Sequence, residues 1–347
     1  MSAAFAPSLM TTGIGSLPYR DPDRAAASVL EADVSIPYWP QLPKRDSAEG
    51  MVAQFSKPMP CVRMDADEGE LYWEPERKYA ELERFYSLVL AEEQEPFGLS
   101  DARAAGFSAF HRAAQGHRWP YVKGQVTGPI TYTTSIQNRD GDVLFSDSDL
   151  REAGVKMLAR NARWQVDRLR QFAEEAVVVF VDEPVLAAYG SSALASISEQ
   201  HVHTMLGQIF GAIEEAGGIS GMHVCGNSDW GVMSSTGVQV LNFDAYQFGH
   251  TMGLYPDAVD ALLARGGCIA WGIVPTTADI ADAELDSLTR TLDRSFDALT
   301  DKGIDAALLR ERSLLTPSCG AGSMEVAEAE KVFDLLGQLQ ARMAGRP

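Results

Sequence analysis

The sequence predicts an α/β fold, a single (β/α)8 TIM barrel over residues 1–347 with a long insertion after the second strand at about 38–120. Three observations predict it. Eight short apolar runs recur along the chain, and most are followed by a helical pattern. The run Ala176 to Val181 is almost continuous valine, as in a strand buried on both faces. Polar residues suited to chemistry gather where the runs end, the end at which a barrel opens its site. An open doubly wound sheet is the alternative, but the chain has no strand–GxGxxG–helix element for a dinucleotide.

The first run is Met10 to Ser16. Asp21-Pro22 then reads as an N-cap with Pro at the first helical position, opening a helix to about Glu31. The second run, Asp33 to Pro37, leads into Pro37-Tyr38-Trp39-Pro40-Gln41-Leu42-Pro43, too rich in proline for a central strand or a helix. Helical patterns near 76–93 and 99–115 occupy the insertion. The third run, Tyr121 to Thr127, closes on Gly128-Pro129 and precedes a long helix at roughly 149–175. The fourth, Ala176 to Val181, ends in Asp182-Glu183-Pro184, and its helix near 198–216 stops at Gly217-Gly218. Runs five to eight are Ile219 to Cys225, Val238 to Asp244, Cys268 to Val274 and Ser313 to Ser318. Helices near 257–265, 284–302 and 325–344 follow the last three.

A hydrophobic content of 46% supports a substantial core, and the net charge of −19 argues against a nucleic-acid partner. No apolar stretch reaches membrane-spanning length, and Met1 to Met10 has no signal-peptide pattern. The four cysteines, Cys61, Cys225, Cys268 and Cys319, lack secreted-type spacing. A cytoplasmic protein with reduced thiols is therefore expected.

His223 and Cys225 are two apart on a run read as a strand, so they share one face. Cys319 ends another run, and the three make a soft donor set for zinc with one position left open. Asp244, at the tip of the sixth run, is the fourth protein candidate, as ligand or as a hydrogen-bonded neighbour. Asp182 and Glu183 are candidate acid–base or ammonium-binding carboxylates, one facing into the barrel and one away. Ile14, Ser16, Gln41 and Thr127 stand at other run ends as substrate-binding candidates. Cys61 and Cys268 read as structural.

These residues carry a resemblance. Thr11-Thr12-Gly13-Ile14-Gly15-Ser16-Leu17-Pro18, Thr127-Gly128-Pro129, Asp182-Glu183-Pro184, His223-Val224-Cys225 and Thr316-Pro317-Ser318-Cys319-Gly320 follow one another in a familiar order. The set resembles the catalytic domain of cobalamin-independent methionine synthase, in a superfamily with uroporphyrinogen decarboxylase and the zinc methylcobamide:thiol methyltransferases. The resemblance runs from about Thr11 to the C-terminus. It implies zinc held by His223, Cys225 and Cys319, with Asp244 where the synthases carry glutamate. It further implies Ile14 and Ser16 at the carboxylate of homocysteine and Asp182 at its amino group. The chain departs from the family in four places. No folate-binding N-terminal half is expected, and the tryptophan after Gly128-Pro129 and a histidine near Ile273-Val274-Pro275 are missing. The family's His-Gly-Glu stretch is replaced by Trp39-Pro40-Gln41. A short form that takes its methyl group from a methylcorrinoid, free or on a corrinoid protein, is the expectation, with homocysteine as acceptor. The rival expectations are another thiol such as coenzyme M, a uroporphyrinogen decarboxylase-like decarboxylase, and a corrinoid-binding subunit without turnover.

Overall fold

Strand residues in this chain alternate between two apolar environments, and the alternation decides where the polar side chains point. The computed structural model describes residues 5–32, 34–65 and 69–345. Its sheets are built from β1 (Met10–Thr11), β2 (Val62–Met64), β3 (Leu71–Trp73), β4 (Trp119–Thr127), β5 (Ala173–Asp182), β6 (Ile219–Val224), β7 (Val240–Phe243), β8 (Cys268–Val274) and β9 (Ser313–Pro317). Seven of these form one curled, all-parallel sheet in the order β1-β9-β8-β7-β6-β5-β4, while β2 and β3 pair as a separate antiparallel hairpin.

On β5, Val177, Val179 and Val181 join the large core between sheet and helices, whereas Val178 and Phe180 join a second cluster on the opposite face. That second cluster also takes Ile14, Ile219, Val240, Cys268, Ala270 and Leu314. Side chains two residues apart on a strand share a face. Asp182 therefore continues the stripe of Phe180, His223 that of Ile219, and Asn242 that of Val240. An apolar plug fills one end of this face, and polar groups occupy the other.

Twelve α-helices flank the strands among the described residues: α1 (Pro22–Glu31), α2 (Lys78–Leu90), α3 (Ala105–Ala113), α4 (Pro129–Thr134), α5 (Ser148–Leu169), α6 (Glu199–Glu215), α7 (Trp230–Ser235), α8 (Ala245–Phe248), α9 (Pro256–Ala264), α10 (Leu285–Thr300), α11 (Ala306–Glu311) and α12 (Val326–Ala344). Asp21 caps α1 by accepting from the Asp23 and Arg24 amides, with Pro22 at the first position. The long helix predicted to about residue 175 ends at Leu169 instead, because β5 starts three residues earlier than the valine run, at Ala173. No described helix is long and apolar enough to cross a membrane.

Two predicted strands need correction. The first run is strand only at Met10–Thr11. The second run begins at Asp33, outside the described residues, and the rest of it is not a strand of the sheet. Pro37 and Pro40 have no amide hydrogen, so a continuous ladder cannot form there. The segment is held by isolated parallel bridges instead, Tyr38 with Lys123 and Gln41 with Ser16. The Lys123 amide donates to the Pro37 carbonyl at 2.8 Å, and the Gln41 amide to the Gly15 carbonyl at 3.0 Å.

Candidate functional site

One register row assembles the site. Thr127 pairs with Asp182, Asp182 with His223, and His223 with Asn242 across β4 to β7. Parallel pairing thus sets side by side four residues that lie far apart in sequence. Above the row is a cavity of about 270 Å³. Ile14, Ser16, Gln41, Asp182, His223, Cys225 and Cys319 all line it, together with Pro43 and Met51 from the segment after the second run. Larger depressions exist, such as one of about 470 Å³ at Tyr19, Arg24 and Glu330, but they lie away from the register row.

Three sequence candidates do not line the cavity. Thr127 is buried and donates its hydroxyl to the Met51 carbonyl, so it holds a wall residue in place. Glu183 is fully buried, and both its oxygens are occupied. One accepts the Ile130 amide at 2.8 Å, and the other accepts the Thr131 amide at 2.8 Å and hydroxyl at 2.6 Å. Glu183 satisfies the first amides of α4, which otherwise have no intrahelical acceptor. Gly128 permits this approach, since a Cβ there would lie 2.1 Å from the Glu183 carboxyl carbon. Asp244 caps α8, accepting the Gln247 amide at 3.0 Å. Burial pushes its carboxyl up to about 6.

The groups that do face the cavity are strongly perturbed. Burial pushes the His223 imidazole down to about 4, so it is neutral at neutral pH. Its Nδ1 meets the Asn242 Oδ1 at 2.5 Å, while Nε2 is buried with no hydrogen-bond partner among the described residues. The Cys319 thiol hydrogen-bonds Cys225, which holds Cys225 down at about 7 and pushes Cys319 up. Asp182 Oδ1 is likewise buried without a partner, and burial pushes this carboxyl well above the usual range.

An unpaired imidazole nitrogen on a residue that lines one cavity with two thiols matches zinc in donor chemistry. Among the described residues, no three His, Cys, Asp or Glu side chains yet stand together closely enough to hold a metal ion. Closing on one requires at least one of these side chains to move.

Sequence reasoning missed Lys123, which lies completely buried in the third run. Its Nζ donates to the Ile14 carbonyl at 2.5 Å and sits 4.7 Å from the centre of the Phe180 ring. Burial pulls its ammonium down, and the nearby Asp182 charge opposes that. The available signal was the alternation Lys123, Gln125, Thr127, a polar stripe inside a strand covered on both faces. Asn242 and Met51 were missed as well. Neither residue type marks a site until the register brings it beside one.

No known protein-family profile matches the chain, and no curated protein sequence does. Its fold is similar to that of a B12-independent methionine synthase from Shewanella sp. W3-18-1, solved in complex with selenomethionine. That pair shares 12% identity with a TM-score of 0.56, over 99% of this chain and 98% of the other. A Listeria monocytogenes protein provisionally named a vitamin-B12-independent methionine synthase gives 11% identity and a TM-score of 0.56 over all of both chains. A β-glycosidase from Thermosphaera aggregans superimposes less well, with a TM-score of 0.43 at 10% identity over 93% of this chain and 86% of the other. The methionine synthase-like structures share the fold of this chain. At such identities the likeness is one of fold alone.

Proposed function

We propose that this chain is a zinc-dependent methyltransferase that moves a methyl group from a methylcorrinoid to a small thiol, with homocysteine giving methionine. The observation that carries the reading is the buried, unpartnered Nε2 of His223 in one cavity with the Cys225–Cys319 pair. His223, Cys225 and Cys319 would hold the metal, which when bound keeps the acceptor sulfur as a thiolate near neutral pH. Asp244, occupied as a helix cap, serves better as a neighbouring charge than as a ligand.

The other wall residues fit an amino-acid acceptor. Asp182 offers an unpaired buried oxygen for an ammonium group, and Ile14, Ser16 and Gln41 line the same cavity as the wall for a carboxylate. A cavity of about 270 Å³ admits an amino acid but not a corrin ring, so the donor must present its methyl group from the mouth. The selenomethionine bound by the Shewanella protein is of the same size class. A decarboxylase acting on several carboxylates is disfavoured, because no arginine is among the described residues lining the cavity.

Metal analysis and turnover test this together. The purified chain should hold about one zinc, lost in Cys225→Ser. Methionine formation from homocysteine and methylcobalamin should vanish in a folded Cys319→Ala variant. A chain that takes up no zinc when zinc is supplied would overturn the reading.

A further inference from the structure

We infer that Asn242 is a positioning residue that fixes the His223 ring in the tautomer whose bare Nε2 faces the cavity. Asn242 neighbours His223 in the register row and is completely buried. Its Nδ2 donates to the Ala270 carbonyl at 2.9 Å and to the Thr316 hydroxyl oxygen at 2.8 Å. A carbonyl can only accept, so the amide has one orientation, nitrogen toward Ala270 and oxygen toward His223. Thr316 gives its own proton to the Pro317 carbonyl at 2.9 Å, which leaves its oxygen free to accept from Asn242.

The Asn242 oxygen, 2.5 Å from His223 Nδ1, must then receive a hydrogen from that nitrogen. A neutral imidazole carries only one, so Nε2 is left with a lone pair. A free neutral imidazole prefers the opposite tautomer, so the protein imposes this one. A buried acceptor without a partner carries an unrepaid cost of desolvation. That cost is recovered when an electron-pair acceptor such as a divalent cation arrives at Nε2. The chain of bonds ends at Pro317, two residues before Cys319. It therefore ties the orientation of His223 to the strand that delivers Cys319.

The consequence for metal affinity rests on the proposed zinc function, whereas the tautomer does not, so the two fail separately. The test is long-range ¹H–¹⁵N NMR of the metal-free full chain labelled at its six histidines, with His223→Gln to assign the signal. The wild-type ring should show a protonated Nδ1 and a bare Nε2. In Asn242→Leu the hydrogen should move to Nε2, and Asn242→Asp, which restores an acceptor, should return it to Nδ1. Zinc affinity in Asn242→Leu should fall roughly 10- to 100-fold, as for other neighbours of metal-bound histidines. A hydrogen on Nε2 in the wild type overturns the inference, and that spectrum decides even if Asn242→Leu does not fold. An unchanged tautomer in a folded Asn242→Leu overturns it too.

Discussion

Glu183 accepts both the amide and the hydroxyl of Thr131, while the residue before it, Asp182, keeps a carboxylate oxygen without any partner. Adjacent strand residues face opposite ways, so one carboxylate builds the fold and the other is left for a ligand. Glu183→Gln puts an NH2 group against donors. Burial pushes the Glu183 carboxyl up to about 7, so above that pH, where hydrogen bonds to the charged group contribute about 1.5–3 kcal/mol each, the substitution should cost about 2 kcal/mol in urea unfolding. Zinc content should not change. A Glu183→Gln chain of wild-type stability but without turnover would make Glu183 a catalytic group.

Asp182→Asn should act on binding instead. It removes the carboxyl that would ionise on meeting the acceptor's ammonium group, and KM for homocysteine should rise roughly 10- to 100-fold with zinc content intact. The deaminated analogue 4-mercaptobutyrate should be methylated equally well by both proteins. If Asp182→Asn affects both acceptors alike, Asp182 does not recognise the ammonium group.

Zinc uptake should weaken as pH falls, in steps set by the cysteines. The Cys319 thiol is pushed up by its bond to Cys225, so binding above neutrality displaces about one proton. Cys225, held at about 7, adds a second below that pH. His223 adds a third only near 4, because burial disfavours its charged form. Competition against a chromophoric chelator across pH reads the slope. A three-proton dependence already near pH 6 would show that His223 titrates normally and is not buried as described.

Much of the scaffold was legible in the sequence because its signals are local. The run Cys268–Val274 is a strand with the same ends, and α12 begins and ends within a residue of its pattern. The segment 37–43 is too rich in proline for a central strand, yet it bridges Ser16 and Lys123. Bridging depends on neighbours brought from elsewhere in the chain, which no local pattern reports. The short helices α4, α7, α8 and α11 escaped notice, being too short to show a period. Of the site, the residues at strand ends were visible, and their roles divided only once contacts were known. Glu183 and Asp244 are helix caps, Thr127 is a brace, and Lys123 hid its charge inside a strand.

Lys78 fastens the segment after the second run to the rest of the fold, and this clasp should loosen in acid. Its Nζ lies 2.7 Å from Asp147 and 2.8 Å from Asp149, joining the start of α2 to the start of α5. Asp147 also caps α5 through the Asp149 and Leu150 amides, both at 3.1 Å. Burial pushes the Asp147 carboxyl up, but Lys78 and those amides outweigh it and leave the group below its ordinary 3.8. A carboxyl lowered by folding contributes its stability above the unfolded value and loses it as pH falls through the folded one. Asp147→Ala should cost about 2 kcal/mol near neutral pH, roughly half from the cap and half from a partly buried ion pair. Lys78→Met should cost about 1 kcal/mol. Urea midpoints should show both gaps steady while pH stays well above 3.8 and closing below it. A Lys78→Met gap that persists in strong acid would mean that the lysine stem, and not its charge, holds the segment.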